Sequence, residues 1–279
     1  MRVVFKNVHK SFRQNGPRVQ ALSDVSFVVE EGEFICVIGP TGCGKSTLIS
    51  LLAGLEFPDS GEIQVGSRPV EGPSPDRLVV FQEAALFPWL TVLGNVEFGL
   101  KIRGVPLEER RSRSLEAIKL VHLSRFVNAH PHELSGGMKQ RAAIARSLVL
   151  DPKILLMDEP FAALDAQTRQ LLMEELQEIW QRTKKTILFV THNVREATFL
   201  AGRVLEMTAR PGGIKHEYPI PVPRPRREQD SALLAIQARI MGSLKDEIEK
   251  VMKEQVDVDY HVSQSGAVTP VERNIGSNI

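Results

Sequence analysis

Residues Gly39-Pro40-Thr41-Gly42-Cys43-Gly44-Lys45-Ser46 constrain this chain more than any other stretch. They follow a short apolar run, Phe34 to Ile38, and open a helix-period stretch from Thr47 to Leu55, so the segment reads as strand, glycine loop and helix. The spacing matches G-x-x-x-x-G-K-S/T. Glycines let main-chain N–H groups converge on phosphate oxygens, and the positive end of the following helix adds to the field. Lys45 is placed to reach the β- and γ-phosphates of a nucleotide and Ser46 to offer a hydroxyl to Mg²⁺, so the candidate nucleotide contacts are Gly39 to Thr47.

Around this loop the chain changes character three times. The first third holds β-rich runs, Arg2 to Val8, Asp24 to Glu30 and Glu62 to Val65, punctuated by glycines. Two helix-period stretches, one after Pro106 and one from Ser135 to Leu150, make the middle a helical insertion. Ile154 to Met157, a long helix from about Asp165 to Thr183, and Thr186 to Val190 then restore the β-α-β alternation of a parallel sheet. Arg203 to Thr208 and Ile214 to Tyr218 read as a hairpin, and Pro219 to Pro225 as an extended segment. The tail offers one amphipathic helix through Leu233, Ile236, Ile240, Leu244, Ile248 and Val251, and beyond Tyr260 its polar composition predicts a flexible end.

Composition removes several functions. With 35 Lys or Arg against 34 Asp or Glu the net charge is +1, which supplies no broad positive field for displacing counterions, so nucleic acid is not an expected partner. No apolar run approaches the roughly 18 to 20 residues that cross a bilayer, and the opening residues 1–6 lack the apolar stretch of a signal peptide, so a cytosolic location is expected. Cys36 and Cys43 suggest neither a disulfide framework nor a zinc site. Because Cys43 lies just before a helix N-terminus, its thiol is expected to ionise and alkylate readily, whereas Cys36 in a core strand is expected to be inert.

A phosphate loop alone does not distinguish kinases, GTPases and motor ATPases. Ile154-Leu155-Leu156-Met157-Asp158-Glu159 adds the second feature. An apolar strand carries Asp158 to the sheet edge, where it can hold the water shell of Mg²⁺, and Glu159 follows in position to polarise an attacking water. In isolation such an acidic pair is a solvated turn; after a phosphate loop it points to hydrolysis.

The helical insertion ends in Leu134-Ser135-Gly136-Gly137-Met138-Lys139-Gln140-Arg141, and here the chain resembles the ATP-binding cassette (ABC) family, whose signature is this Leu-Ser-Gly-Gly element. The resemblance covers about residues 1 to 220 and includes, in family order, the loop 39–46, Gln82, the signature 134–138, Asp158 and Glu159, Ala163-Leu164-Asp165, and His192. It implies an α/β fold in which a parallel phosphate-loop NTPase sheet carries an antiparallel β subdomain and a helical insertion. One ATPase domain is expected over 1–228, with the helical subdomain about 84–152, and a C-terminal extension over 229–279. It further implies ATP and Mg²⁺, with Ser46, Gln82 and Asp158 near the metal, Glu159, His192, Gln82 and Lys45 in catalysis, and Phe12 stacked on adenine. Ser135, Gly136, Gly137 and Asp165 are implied to serve the nucleotide of a second cassette, making the working unit a homodimer or cassette heterodimer; locally Ser135 also reads as an N-cap.

Three kinds of machine remain: a transporter ATPase, a soluble mechanochemical ATPase, and a regulator without turnover. The last fits least, since Lys45, Asp158, Glu159 and His192 are all present. Leu86-Phe87-Pro88-Trp89-Leu90 places aromatics where a polar loop is expected, either as a dock for a membrane permease or as part of the helical insertion's own core. Val80-Phe81-Gln82-Glu83, residues 87–92 and Val222-Pro223-Arg224-Pro225-Arg226 resemble subunits of nitrate, sulfonate and taurine importers. That resemblance implies a peripheral subunit at the cytoplasmic face of the plasma membrane, bound to permease subunits and served by a solute-binding protein.

Overall fold

A computed structural model describes residues 1–13, 18–262 and 268–270. The chain begins with two long antiparallel strands, β1 (Val3–Arg13) and β2 (Arg18–Val29), followed by β3 (Phe34–Ile38) and α1 (Lys45–Ala53). β4 (Ser60–Val65), β5 (Arg68–Pro69) and β6 (Arg77–Val80) come next, then α2 (Val92–Ile102), α3 (Leu107–Leu120) and α4 (Gly136–Leu148). The second half runs β7 (Ile154–Asp158), α5 (Ala166–Thr183), β8 (Thr186–Val190), α6 (Val194–Leu200), β9 (Arg203–Met207), β10 (Ile214–Pro219) and α7 (Ser231–Asp259). A short hairpin, β11 (Tyr260–Val262) with β12 (Val268–Pro270), follows; the rest of the polar end expected to be flexible lies outside the described residues.

Two sheets carry the molecule. One is antiparallel in the order β2-β1-β4-β5; the other has the order β10-β9-β3-β8-β7-β6, parallel except for β10. Every residue of β3 and β8 is buried, as a parallel strand covered on both faces requires, and this is why they read as continuous apolar runs. The strand period of two then splits the core: Phe34, Cys36 and Ile38 face the side of α2–α6, while Ile35 and Val37 pack with α1 and the antiparallel sheet. On that second side Phe5 and Phe27 stack at 4.4 Å.

The helices between β6 and β7 bury Val92, Leu93, Val96, Leu100 and Ile118 in the first of these cores. Helix α2 is absent from the sequence reading, because Gly94 and Gly99 dilute its period; Thr91 starts it by accepting from the Gly94 N–H at 3.1 Å. Among the described residues no helix is long and apolar enough to cross a membrane.

Helix α7 buries Leu233, Ile240 and Leu244 against the main core, and two polar clusters add to that attachment. At its root, Arg226 is 4% exposed and donates to the carbonyls of Thr198, Phe199, Ala201, Ile220 and Val222, which include the open end of α6. Midway along, Glu247 is 1% exposed and accepts from the Ala209 N–H at 2.8 Å, Lys215 at 3.0 Å and Lys250 at 2.8 Å. Burial alone would raise this carboxyl, but those donors outweigh it and hold its pKa at about 2. The stabilisation is therefore complete above the ordinary carboxylate range and disappears as pH falls toward 2. Glu247→Gln is expected to lower stability at pH 7 by on the order of 2 kcal/mol. In urea unfolding followed by circular dichroism, the gap to wild type should narrow by about half on going from pH 7 to pH 3.

Candidate active site

Four parallel strands end at one edge of the larger sheet, where open α/β sheets bind ligands. β3 runs into the glycine loop and α1, β7 ends at Asp158, β8 leads through Thr191 to His192, and β6 leads out to Gln82. The loop is shaped by its own backbone. Gly44 caps α1 with φ 101°, and a Cβ there would stand 2.6 Å from Leu22 Cδ2. Among the described residues no side chain caps α1, so its leading N–H groups remain available to an anion.

A cavity of about 270 Å³ opens beside the loop. Thr41, Gly42 and Gly44 to Thr47 form its floor, and Phe12, Ala21, Glu159 and Arg210 form its walls. Lys45 is 6% exposed and donates to the carbonyls of Gly39 and Pro40, both at 3.0 Å, and among the described residues it forms no ion pair with a carboxylate. Ser46 Oγ donates to Asp158 Oδ1 at 3.1 Å. Burial raises the Asp158 carboxyl, Ser46 and Lys45 oppose that, and neighbouring Glu159 adds to it.

Glu159 sits at φ 45°, in the left-handed region that costs a residue of its type about 1 kcal/mol or more. Its N–H donates to Val190 O at 2.9 Å and its carbonyl accepts from Ala162 at 3.1 Å, which holds the turn. So aimed, Glu159, which lines the cavity, has its Oε2 2.8 Å from His192 Nδ1. The structure thus joins Phe12, the phosphate loop and Glu159 in one cleft, with Asp158 bonded to Ser46 of its floor and His192 bonded to Glu159 while itself lining a separate cavity against α7.

It does not bring in the other candidates. Gln82 is exposed and does not line the cavity. Ser135 caps α4 by accepting from the Met138 N–H at 3.3 Å, and Gly137 is required by close packing, since a Cβ there would meet Thr168 Cγ2 at 2.4 Å. Neither these residues nor Gly136 reach this chain's own cleft. Asp165 caps α5 through the Thr168 N–H at 3.0 Å, and that hydrogen bond holds its carboxyl below the usual range.

The expectation for Cys43 is overturned. Its backbone belongs to the loop, but the thiol is 1% exposed among Ile35, Leu48 and Met207, and burial raises its pKa against the pull of Lys45. Proximity to a helix end does not ionise a side chain that points into the core, so Cys43, like Cys36, is shielded. Phe87 and Trp89 divide between their two readings: Phe87 is half-buried against Phe98 with centroids 4.6 Å apart, whereas Trp89 is 70% exposed.

Two features are not legible in the sequence. Arg210, on the turn between β9 and β10, reaches the Gly42 carbonyl at 3.2 Å. Buried Glu196 accepts from Thr191 Oγ1 at 2.6 Å and pairs with Arg169 at 3.4 Å, while Arg169 also donates to the carbonyls of Leu164 and Phe161. That network ties the segment before α5 to the strand end that carries His192; burial, only partly offset by Thr191 and Arg169, raises the Glu196 carboxyl. The residues of both features are scattered, and no spacing rule links them.

The geometry agrees with what comparison with known proteins finds. The sequence model of the ABC transporter family matches residues 22–162. An uncharacterized ABC transporter ATP-binding protein of Methanocaldococcus jannaschii is 50% identical over 89% of this chain and 93% of its own length. A nitrate import ATP-binding protein of Synechocystis is 49% identical over 80% of this chain and 84% of its own, and a taurine import ATP-binding protein of Rhizobium johnstonii is 43% identical over 87% and 93%. Among solved structures, a dimeric post-hydrolysis ATP-binding cassette bound to ADP and Pi superposes with a TM-score of 0.70 at 34% identity, covering 79% of this chain and 99% of that one. With a phosphate loop, a strand-end acidic pair and an apposed histidine on this fold, the chain belongs to the ABC transporter family and is an ATP-binding, ATP-hydrolysing cassette.

Proposed function

We propose that the chain is the energy-coupling ATPase subunit of an importer for nitrate, an aliphatic sulfonate, taurine or a related small solute. In this reading it works at the cytoplasmic face of the membrane, paired with a second cassette and docked on permease subunits that a solute-binding protein supplies. The observation that carries hydrolysis is the 2.8 Å contact of His192 with Glu159, the carboxylate that lines the phosphate-loop cavity. Support for the importer class comes from the names of the nitrate and taurine relatives.

The residues divide the work as follows. Phe12 offers its ring to the base, and the N–H groups of residues 41 to 47 receive the phosphates. Lys45 leaves the Gly39 and Pro40 carbonyls for the β- and γ-phosphate oxygens. Glu159 takes the proton of the attacking water at a carboxylate oxygen, and His192 holds that carboxylate and the water in line. Ser46 and Asp158 present a hydroxyl and a carboxylate 3.1 Å apart, a hard oxygen pair suited to Mg²⁺, and a cation there would offset the burial that raises the Asp158 carboxyl. Gln82, exposed and outside the cavity here, would have to swing in from the end of β6 to join that pair. When bound, Mg²⁺ neutralises charge developing on the β- and γ-phosphates. Ser135, Gly136, Gly137 and Asp165, which stand clear of this cleft, act on the nucleotide of the second cassette.

The docking surface centres on the segment after Gln82. Gln140 donates to the Phe81 carbonyl and Arg146 to the Ala84 and Ala85 carbonyls, so α4 holds this loop while the Phe81 and Trp89 rings stay 48% and 70% exposed. Exposed aromatics on an anchored loop suit a permease segment.

Two outcomes test these roles. Glu159→Gln should keep ATP affinity, lose at least a hundredfold in turnover and accumulate as an ATP-bound dimer on size-exclusion chromatography with ATP and Mg²⁺. Wild-type turnover in this variant removes Glu159 from catalysis. For the dock, Trp89→Ala should leave the melting temperature and basal ATPase rate within error, while weakening permease capture by on the order of 2 kcal/mol. A lowered melting temperature with unchanged capture returns the ring to a packing role.

A further inference from the structure

Arg210 occupies a wall of the nucleotide cleft that the reaction outlined above does not use. Its Nε and Nη2 donate to the Gly42 carbonyl at 3.3 and 3.2 Å, and among the described residues it pairs with no carboxylate. A guanidinium has five N–H donors, so most remain uncommitted at the edge of a cavity shaped for polyphosphate.

The turn that delivers it is held on both sides. Toward β2, Gly212 N–H donates to Ala21 O and Ser23 N–H to Gly212 O, both at 2.9 Å. Within the turn, Thr208 N–H donates to Gly213 O at 2.9 Å and Gly213 N–H to Thr208 Oγ1 at 2.8 Å. The turn also abuts the loop itself, since a Cβ on Gly212 would fall 1.9 Å from Cys43 O. Toward the C-terminal helix, the N–H of Ala209, the residue before Arg210, donates to buried Glu247 at 2.8 Å.

We propose that Arg210 is a ligand for the nucleotide's phosphates and that α7, through Glu247, sets its position. The C-terminal helix is then a second handle on nucleotide affinity, acting on the phosphate loop from outside the motifs that bind ATP. This rests on the cleft being the nucleotide site.

Isothermal titration of the full chain with ATP tests it. Arg210→Ala should raise Kd about tenfold. Arg210→Gln, which keeps an amide donor for the Gly42 carbonyl but no charge, should be as weak, with Arg210→Lys between. Wild-type Kd should rise more steeply with KCl than that of Arg210→Gln. Glu247→Gln should raise Kd a few-fold in the wild-type background and leave it unchanged in Arg210→Ala. An Arg210→Gln variant that binds like wild type overturns the proposal, because Arg210 then only straps the loop; so does a Glu247→Gln effect of equal size in both backgrounds. Lys45→Ala separates the two readings: lost binding there with normal Arg210 variants removes this inference alone, whereas a wild-type chain that binds no ATP removes the cleft as well.

Discussion

The parallel register of β3, β8 and β7 is the constraint on which the cleft depends. Val190 pairs with Val37 on one side and with Asp158 on the other, so three strands reach the same height before they end. Main-chain bonds close the edge just beyond that line: Thr191 N–H donates to Val37 O at 3.2 Å and Glu159 N–H to Val190 O at 2.9 Å. The residues that leave this line, at the start of the loop, at the acidic pair and before His192, are neighbours because of backbone pairing before any side chain is considered. A slip of β7 by one residue would exchange Asp158 with its neighbour and turn the intended carboxylate to the wrong face.

Given that edge, side-chain chemistry has only to refine the aim. Glu159 is turned toward His192 by a left-handed main chain, which stores about 1 to 3 kcal/mol of strain and survives because both of its peptide groups are bonded. Behind it, Glu196 and Arg169 convert the end of β8 and the segment before α5 into one body. The two carboxylates differ because their settings differ. Glu196 is buried among donors and braces the scaffold, while Glu159 lines the cavity, which is the setting the proposed catalytic role requires.

What could be read from the sequence follows the same division. β3, β7 and β8 are legible because buried parallel strands are unbroken apolar runs, and the loop, Asp158, Glu159 and His192 are legible because they stand at their ends. Helix α2 is hidden by Gly94 and Gly99, and β6 and α6 by their brevity. Cys43 misleads because potential along a helix axis is a sequence-level argument, whereas the direction of a thiol is a property of packing. Arg210 is illegible for a related reason: it meets Gly42 only through the folding of β9 and β10 onto the first strands, a contact across 168 positions.

Two of the polar contacts that hold α7 differ in kind. Arg226 delivers its donors to neutral carbonyls and keeps its proton up to about pH 10, where burial first and Arg224 second have lowered it, so neither acid nor added salt has purchase on that contact. The Glu247 lattice is ionic, made of Lys215, Lys250 and one amide, and it fails when its carboxylate is protonated. Strong acid therefore removes this ionic contact first, leaving α7 held by the Arg226 carbonyl contacts and by the buried Leu233, Ile240 and Leu244, so the two ends of the attachment answer to different changes in the medium.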